Sequence, residues 1–202
     1  MNAVKYLLRK KEYGLKNKIE NIEVFTQRNN RFNPSVACFP TSSAIALHYK
    51  GVEDPINNMQ LEDYLVYLAL NLTQEEKQVL VSVNGQWILN HRPFQVIPIM
   101  EYVCRKLHRN TKLSWKITFE DIVKNIDNNN PVVCLGNFSS ISYVKGHYNC
   151  IIGYDTDKQT VITHDPFGNA HSNYKDFNGA NMEYDFSIFH YDGNNFSCGL
   201  LF

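Results

Sequence analysis

The sequence predicts an α+β fold in a single domain spanning residues 1–202, with a helical first half and an antiparallel β-sheet in the second half. Three observations predict it. The chain has 202 residues, of which 44% are hydrophobic and 20% charged, as is ordinary for one globular domain with a substantial core. Helical periodicity prevails in the first half, and short β-type runs begin at Pro131. This segregation is typical of helices gathered on one side of an antiparallel sheet.

Four helices are predicted in order along the chain. The first starts at Cys38, because "FPTSSAIALHYKG" has apolar residues at helical spacing and Gly51 as a stop. The other three are "LEDYLVYLALNL" (61–72), "PIMEYVCRKLHRN" (98–110) and "TFEDIVKNIDNNN" (118–130), the last with Thr118 as a plausible N-cap.

The predicted strands are "PVVCLG", "KGHYNCIIGYD", "QTVITHD" and "SCGLLF". The Asn-rich pieces "DNNNP" and "DGNN" are predicted to be turns. No internal repeat and no linker divides the chain, and residues 1–22 are predicted to form a basic N-terminal arm.

Charge and composition exclude several classes of function. Twenty basic residues balance twenty acidic ones, so the chain has no global field to attract nucleic acid or an anionic membrane. Near the N-terminus, Arg9, Lys10 and Lys11 interrupt an apolar run that is too short for a signal peptide or a membrane span. We therefore expect a chain that is cytoplasmic as synthesised, without membrane insertion and without a nucleic-acid partner.

The cysteines provide one candidate for chemistry. Their odd number and irregular spacing predict neither a disulfide framework nor a zinc site, and no histidine pair has ligand spacing. The default interpretation for each is a small buried hydrophobe. Only Cys38 lies at a helix start, where unpaired N–H groups and a nearby imidazolium would favour the reactive thiolate. The five are Cys38, Cys104, Cys134, Cys150 and Cys198.

A β-hairpin is predicted to supply the histidine. If Tyr154 pairs with Lys158 across a three-residue turn, His147 lies directly opposite Asp165 on the same face of the sheet. The carboxylate would then fix the imidazole tautomer and stabilise its charged form. The inference depends on the turn, because a two-residue turn would place Asp165 on the other face.

Each candidate also has an ordinary structural interpretation. His147 could be a polar residue at a strand start, Asp165 a turn residue before proline, and Gln27 a solvated loop residue. His164 is a rival base on the opposite face. Taken together, however, a helix-start cysteine, a downstream histidine and a later acid follow the chain order of a papain-like triad.

Two blocks of sequence resemble one family. "VFTQRNNRFNPSVACFPTSSAIAL" is similar to the nucleophile segment of the papain-fold cysteine peptidases related to bacteriocin-processing peptidases, the C39-like branch common in phage and bacterial genomes. "GHYNCIIGYDTDKQTVITHDPFGNA" is similar to the family's Gly-His strand and Asp-Pro-aromatic-Gly-Asn segment, and "YKDFNGANMEY" to the tail that often follows. In the first block the matching residues are Gln27, Arg28, Asn30, Asn33, Pro34, Cys38, Thr41 and Ser42.

The resemblance implies a papain-like fold and a role for each matching residue. Cys38 would be the nucleophile, His147 the general base and acid, Asp165 the residue that orients the imidazole, and Gln27 the side-chain donor of the oxyanion hole. The Cys38 backbone N–H would be the second donor, and no metal or organic cofactor would be needed. The residues that flank Cys38 depart from the small or polar residues common in the family. The resemblance therefore does not predict the shape of the substrate channel.

The implied activity is hydrolysis of peptide bonds through an acyl-enzyme. Because the resemblance is to phage-type members, cell-wall peptidoglycan is the leading substrate that it implies. Such an enzyme would reach the cell wall through lysis or as part of a virion, as an endolysin does. One alternative is acyl transfer or processing of a cytoplasmic peptide on the same triad. Another is a catalytically silent virion or binding protein that kept the fold. The oligomeric state is not predicted.

Overall fold

A computed structural model describes residues 15–55, 59–190 and 196–202. The predicted "DGNN" turn and residues 1–14 of the predicted arm lie outside the described residues. Among the helices of the described ranges, none is both long enough and apolar enough to cross a membrane. The helices are α1 (Cys38–Tyr49), α2 (Leu61–Leu70), α3 (Gln74–Asn84), α4 (Ile97–Leu107) and α5 (Phe119–Asp127).

The strands form one antiparallel sheet. They are β1 (Lys16–Lys18), β2 (Lys112–Ile117), β3 (Val132–Asn137), β4 (Gly146–Asp155), β5 (Thr160–His164), β6 (Met182–Asp185) and β7 (Ser197–Leu201). Their order across the sheet is β2-β7-β3-β4-β5-β6, and β1 pairs with the C-terminal end of β4. All four predicted strands are confirmed, whereas β1, β2 and β6 were not predicted.

All four predicted helices are present with small differences at their ends. Thr118 caps α5 as expected, since its hydroxyl accepts the Asp121 N–H while the Asp121 carboxylate accepts the Thr118 N–H. The unpredicted helix α3 has a similar capping box at Thr73 and Glu76. Leu80 is the one buried residue of α3. The sequence of α3 therefore has little of the apolar periodicity by which a helix is predicted.

The described part of the predicted N-terminal arm, within residues 1–22, contributes a strand to the sheet. Residues 16–18 pair with β4 as strand β1, and Ile19 is buried in the core. The Ile19 N–H donates to the carbonyl of Ile152 at 2.8 Å. This segment is basic on its exposed side yet belongs to the sheet, because its backbone groups pair with β4.

The sheet has a hydrophobic cluster on each face. Helices α1 to α4 contribute to the first cluster together with Tyr148, Cys150 and Ile152 of β4. Helix α5 packs on the other face, where Ile122 and Ile126 belong to the second cluster. The predicted gathering of helices on one side therefore holds for α1 to α4, and α5 lies opposite.

The β4–β5 hairpin has a different register from the predicted one. Asp155 pairs with Thr160, so residues 156–159 connect the strands. The predicted three-residue turn with Tyr154 opposite Lys158 is therefore wrong. Gln159 lies in this turn with a positive φ of 54°, a conformation that a propensity argument does not assign to glutamine.

A β-bulge nevertheless places the side chains of His147 and Asp165 on the same face of the sheet. This shared face was predicted, although the turn used to predict it was wrong. At its far end the hairpin pairs Cys150 with His164, and Ile152 is the extra residue between the two registers. One inserted residue exchanges the two faces of the strand for everything beyond it. Asp165, just after β5, therefore lies on the same face as His147, two residues out of direct alignment.

Candidate active site

Cys38 is the first residue of α1, and it differs from the other cysteines in exposure. Ala37 precedes it without a side-chain cap, and the first N–H groups of an α-helix have no intrahelical partner. Cys38 is half-buried, whereas the four other cysteines are buried. Burial raises the pKa of the Cys104, Cys134 and Cys150 thiols, which keeps them protonated and unreactive.

Hydrogen bonds hold α1 against the strand that carries His147. The Ser42 hydroxyl donates to the carbonyl of Tyr148 at 3.0 Å, one residue beyond His147. The Thr41 hydroxyl donates to the Ala37 carbonyl at 2.8 Å and accepts from the Asn30 side chain at 3.2 Å. These motif residues therefore fix the start of α1 and the loop that leads into it.

His147 and Asp165 form a buried pair. Nε2 of His147 donates to Oδ1 of Asp165 at 2.7 Å, and both residues are almost fully buried. Oδ1 also accepts the Phe167 backbone N–H at 2.9 Å. Oδ2 accepts the hydroxyls of Tyr184 at 3.0 Å and Tyr174 at 3.3 Å. Four donors thus hold the carboxylate in place.

The pKa of His147 is raised to about 10. Burial lowers it, but the negative charge of Asp165 and the hydrogen bonds to Asp165 and Cys38 together outweigh burial. Because Asp165 occupies Nε2, Nδ1 is the nitrogen available to the Cys38 thiol. The site therefore favours the charged form of the imidazole.

Three aromatic rings enclose the imidazole. Their centroids lie 5.4 Å (Phe138), 5.8 Å (Tyr174) and 6.2 Å (Phe167) from that of His147, each in an edge-on arrangement. Burial and the charge of Asp165 raise the pKa values of Tyr174 and Tyr184, so both hydroxyls stay protonated and act as donors. The rings exclude water from the His147–Asp165 hydrogen bond.

His164, the rival base, has both ring nitrogens committed to the backbone. Nε2 donates to the Ile22 carbonyl at 3.0 Å, and Nδ1 accepts the Asn181 N–H at 3.2 Å. Such a ring is neutral, and burial lowers its pKa. His164 therefore stabilises the packing of the chain around β5 and has no free nitrogen for catalysis.

Gln27 is buried in the loop that leads to Cys38. Its Nε2 donates to the carbonyl of Pro34 at 2.7 Å, and its own backbone N–H donates to the carbonyl of Pro166 at 2.9 Å. Oε1 is buried without a hydrogen-bond partner. The side-chain amide has two N–H groups, and the hydrogen bond to Pro34 uses one of them.

Arg28 joins the Gln27 loop to the loop that follows Asp165. Its Nε donates to the Phe167 carbonyl at 2.9 Å, and Nη2 donates to the Tyr174 carbonyl at 3.3 Å. The guanidinium lies between the Phe167 ring, at 4.1 Å, and the Phe177 ring, at 3.8 Å. Two carbonyl acceptors and two aromatic faces suit arginine and would not suit lysine.

Sequence reasoning missed three residues of this environment. The sequence motifs assign no role to Tyr174 and Tyr184, although these residues begin and end the "YKDFNGANMEY" tail. Arg28 was part of the first motif but was likewise given no role. The sequence does show that these residues carry hydroxyl or guanidinium donors and lie in segments without helix or strand periodicity. Such donors could have been predicted to contact the site.

The arrangement of α1 on the sheet is that of a known fold. A helix with a cysteine at its N-terminus, packed on an antiparallel sheet that carries a buried His–Asp pair, is the arrangement of a papain-like α+β fold. The sequence matches the peptidase C39 like family over residues 19–191, and the chain belongs to that family. The resemblance seen in the sequence is therefore confirmed.

A solved structure supports the same fold. The crystal structure of a candidate C39-like peptidase from Bacillus anthracis matches with a TM-score of 0.58, and the match covers 93% of this chain and 96% of that chain. The two sequences are 14% identical. A search of curated protein sequences finds no significant match.

Proposed function

We propose that the chain is a cysteine peptidase that uses Cys38, His147 and Asp165, with Gln27 in the oxyanion hole. Membership of the peptidase C39 like family supports a cysteine peptidase in general. The observations that carry the residue assignment are the 2.7 Å hydrogen bond from His147 to buried Asp165 and the contribution of Cys38 to the raised pKa of His147.

The geometry suits an acyl-enzyme mechanism. The Cys38 thiolate attacks a peptide carbonyl, and the oxyanion accepts hydrogen bonds from the Gln27 side chain and the Cys38 N–H. The C–N bond breaks as the His147 imidazolium gives its proton to the leaving amine. A water molecule then loses a proton to His147 and attacks the thioester, which releases the acid and regenerates the thiolate. Asp165 keeps the imidazole oriented throughout.

The first experiment tests both the activity and its residues. The full chain would be incubated with a mixed peptide library and with purified cell wall, and new free amines and released fragments would be measured by mass spectrometry. We expect hydrolysis by the wild type and none by Cys38→Ala or His147→Ala. Circular dichroism would show whether each variant keeps the fold.

Several outcomes would contradict the proposal. Equal turnover by a folded Cys38→Ala variant would remove the nucleophile assignment. Products that carry an added amine instead of a new free acid would indicate acyl transfer on the same triad. Release of cell-wall fragments would support the peptidoglycan substrate expected from the resemblance, and cleavage confined to library peptides would argue against it.

A further inference from the structure

Arg28 binds two residues that in turn bind the Asp165 carboxylate. Its Nε donates to the Phe167 carbonyl at 2.9 Å, and the Phe167 N–H donates to Oδ1 of Asp165 at 2.9 Å. Its Nη2 donates to the Tyr174 carbonyl at 3.3 Å, and the Tyr174 hydroxyl donates to Oδ2 of Asp165 at 3.3 Å. One guanidinium is therefore connected to both oxygens of the carboxylate, each time through one intervening residue.

The same two intervening residues contact the imidazole. The ring centroids of Phe167 and Tyr174 lie 6.2 Å and 5.8 Å from that of His147, and 4.8 Å from each other. Phe167 is half-buried and Tyr174 is buried. Because packed side chains move together, a shift of either backbone would displace a donor to Asp165 and a ring against His147 at the same time.

The backbone of Arg28 is itself tied to the segment that follows Asp165. Arg28 lies in the short 3₁₀ turn Gln27–Asn29, and its N–H donates to the Thr26 hydroxyl at 3.3 Å. The Gln27 N–H donates to the Pro166 carbonyl at 2.9 Å. The Arg28 side chain therefore extends from a turn that already lies next to the residues that it binds.

The surroundings of the guanidinium favour arginine at this position. Two rings lie over its faces, Phe167 at 4.1 Å and Phe177 at 3.8 Å. Within the described ranges no carboxylate forms an ion pair with Arg28. Because the N–H groups of a guanidinium lie in one rigid plane, they hold two carbonyls at a fixed separation, which a flexible ammonium does not.

We propose that Arg28 is a positioning residue for the Asp165 carboxylate and acts through Phe167 and Tyr174. The inference rests on the proposed peptidase function, in which Asp165 orients the imidazole of His147. By binding the two carbonyls, Arg28 fixes the N–H and the hydroxyl that bind the carboxylate oxygens. Small displacements of catalytic groups are costly, so loss of this support lowers turnover.

Steady-state kinetics of Arg28→Lys test the proposal, because this change keeps the charge and removes the planar fork. We expect kcat to fall about tenfold to a hundredfold and KM to stay within about twofold, since the orientation of His147 matters mainly in the transition state. Arg105→Lys makes the same chemical change on α4, where Arg105 pairs with Glu101 at 3.4 Å, and should behave as wild type. A rise in KM with unchanged kcat would overturn the proposal and make Arg28 a substrate-binding residue.

Proton NMR separates positioning from a purely structural role and does not depend on activity. The proton that His147 donates to Asp165 lies in a short, charge-assisted hydrogen bond of 2.7 Å and should resonate far downfield. Arg28→Lys should shift or broaden this resonance, and Arg105→Lys should leave it unchanged. Circular dichroism would show that both variants are folded. An unchanged resonance in a folded Arg28→Lys variant would overturn the proposal.

A double-variant cycle tests whether Arg28 acts through Asp165. In the Asp165→Ala background, Arg28→Lys should lower the residual single-turnover rate by less than about twofold, because the carboxylate that it positions is gone. If the two losses multiply in full, Arg28 acts independently of Asp165 and the proposal is overturned. The NMR comparison, which keeps Asp165, decides the question if Asp165→Ala does not fold.

Failure of the positioning proposal is distinguishable from failure of the peptidase proposal. If the wild type cleaves library peptides and Arg28→Lys keeps both the wild-type kcat and the wild-type resonance, the role of Arg28 is overturned and the peptidase stands. If the wild type cleaves nothing and Arg28→Lys still alters the resonance, the hold of Arg28 on Asp165 is supported and the peptidase is contradicted.

Discussion

At the scale of the residue, a few side chains combine to distinguish Cys38 from the other cysteines. Cys104, Cys134 and Cys150 are buried among apolar groups that raise their thiol pKa values. Cys38 instead begins a helix and, together with Asp165, raises the pKa of His147. The proposed role of Cys38 therefore depends on its neighbours and on its place in α1.

We expect Gln27→Ala to lower kcat by about a hundredfold or more with little change in KM, because an oxyanion donor acts mainly in the transition state. Steady-state kinetics on a cleaved library peptide would measure both constants. Asn29→Ala, an exposed neighbour in the same turn, is the control and should behave as wild type. A rise in KM with unchanged kcat would make Gln27 a substrate-binding residue instead.

At the scale of the element, the end of β5 depends on a close backbone approach. The Asp165 N–H donates to the Gly179 carbonyl at 2.8 Å. A Cβ on Gly179 would collide with the carbonyl oxygen of Asp165, which is backbone and cannot rotate away. Only glycine therefore lets this segment lie against β5 and hold Asp165 within reach of His147.

Gly179→Ala should consequently displace Asp165 and lower kcat by about tenfold to a hundredfold, since small misplacements of catalytic groups are costly. Gly146→Ala is the matched control next to His147, because its Cβ would meet only the Leu135 side chain at 3.9 Å. Kinetics and thermal unfolding of the two variants would be compared. Wild-type kcat in a folded Gly179→Ala variant would refute this account of Asp165 positioning.

At the scale of the whole molecule, the His147–Asp165 pair links stability to pH. The pKa of His147 is about 10 in the folded protein and has an ordinary value of 6.5 in the unfolded chain. A raised pKa means that the folded state binds the proton more tightly. Its contribution to stability is therefore complete below about pH 6.5 and is lost as the pH rises through about 10.

We expect the wild type to have a larger free energy of unfolding than Asp165→Asn. This difference should be largest near pH 6.5 and should shrink toward pH 10. Each unit by which the carboxylate raises the pKa of His147 corresponds to about 1.4 kcal/mol. Urea denaturation at several pH values would measure the difference, in which titrations common to both proteins cancel. Parallel curves across this range would show that Asp165 does not hold the proton on His147.

Features that depend on local chemistry were predictable from the sequence. Apolar periodicity after Cys38 predicted α1 and its start, and the two motif blocks identified the family that the comparisons confirm. The hydroxyl side chain of Thr118 predicted the cap of α5. Helix starts and motifs of this kind are encoded within a few residues of each other, which is why they can be read without the fold.

The way in which His147 and Asp165 meet depends on long-range strand pairing and could not be predicted. The predicted turn was wrong, and the bulge at Ile152 restored their common face. Strand β1 was likewise not predicted, because its pairing partner β4 is distant in sequence. Pairing register is set by contacts across the whole sheet, and side-chain alternation turns an error of one residue into the opposite face.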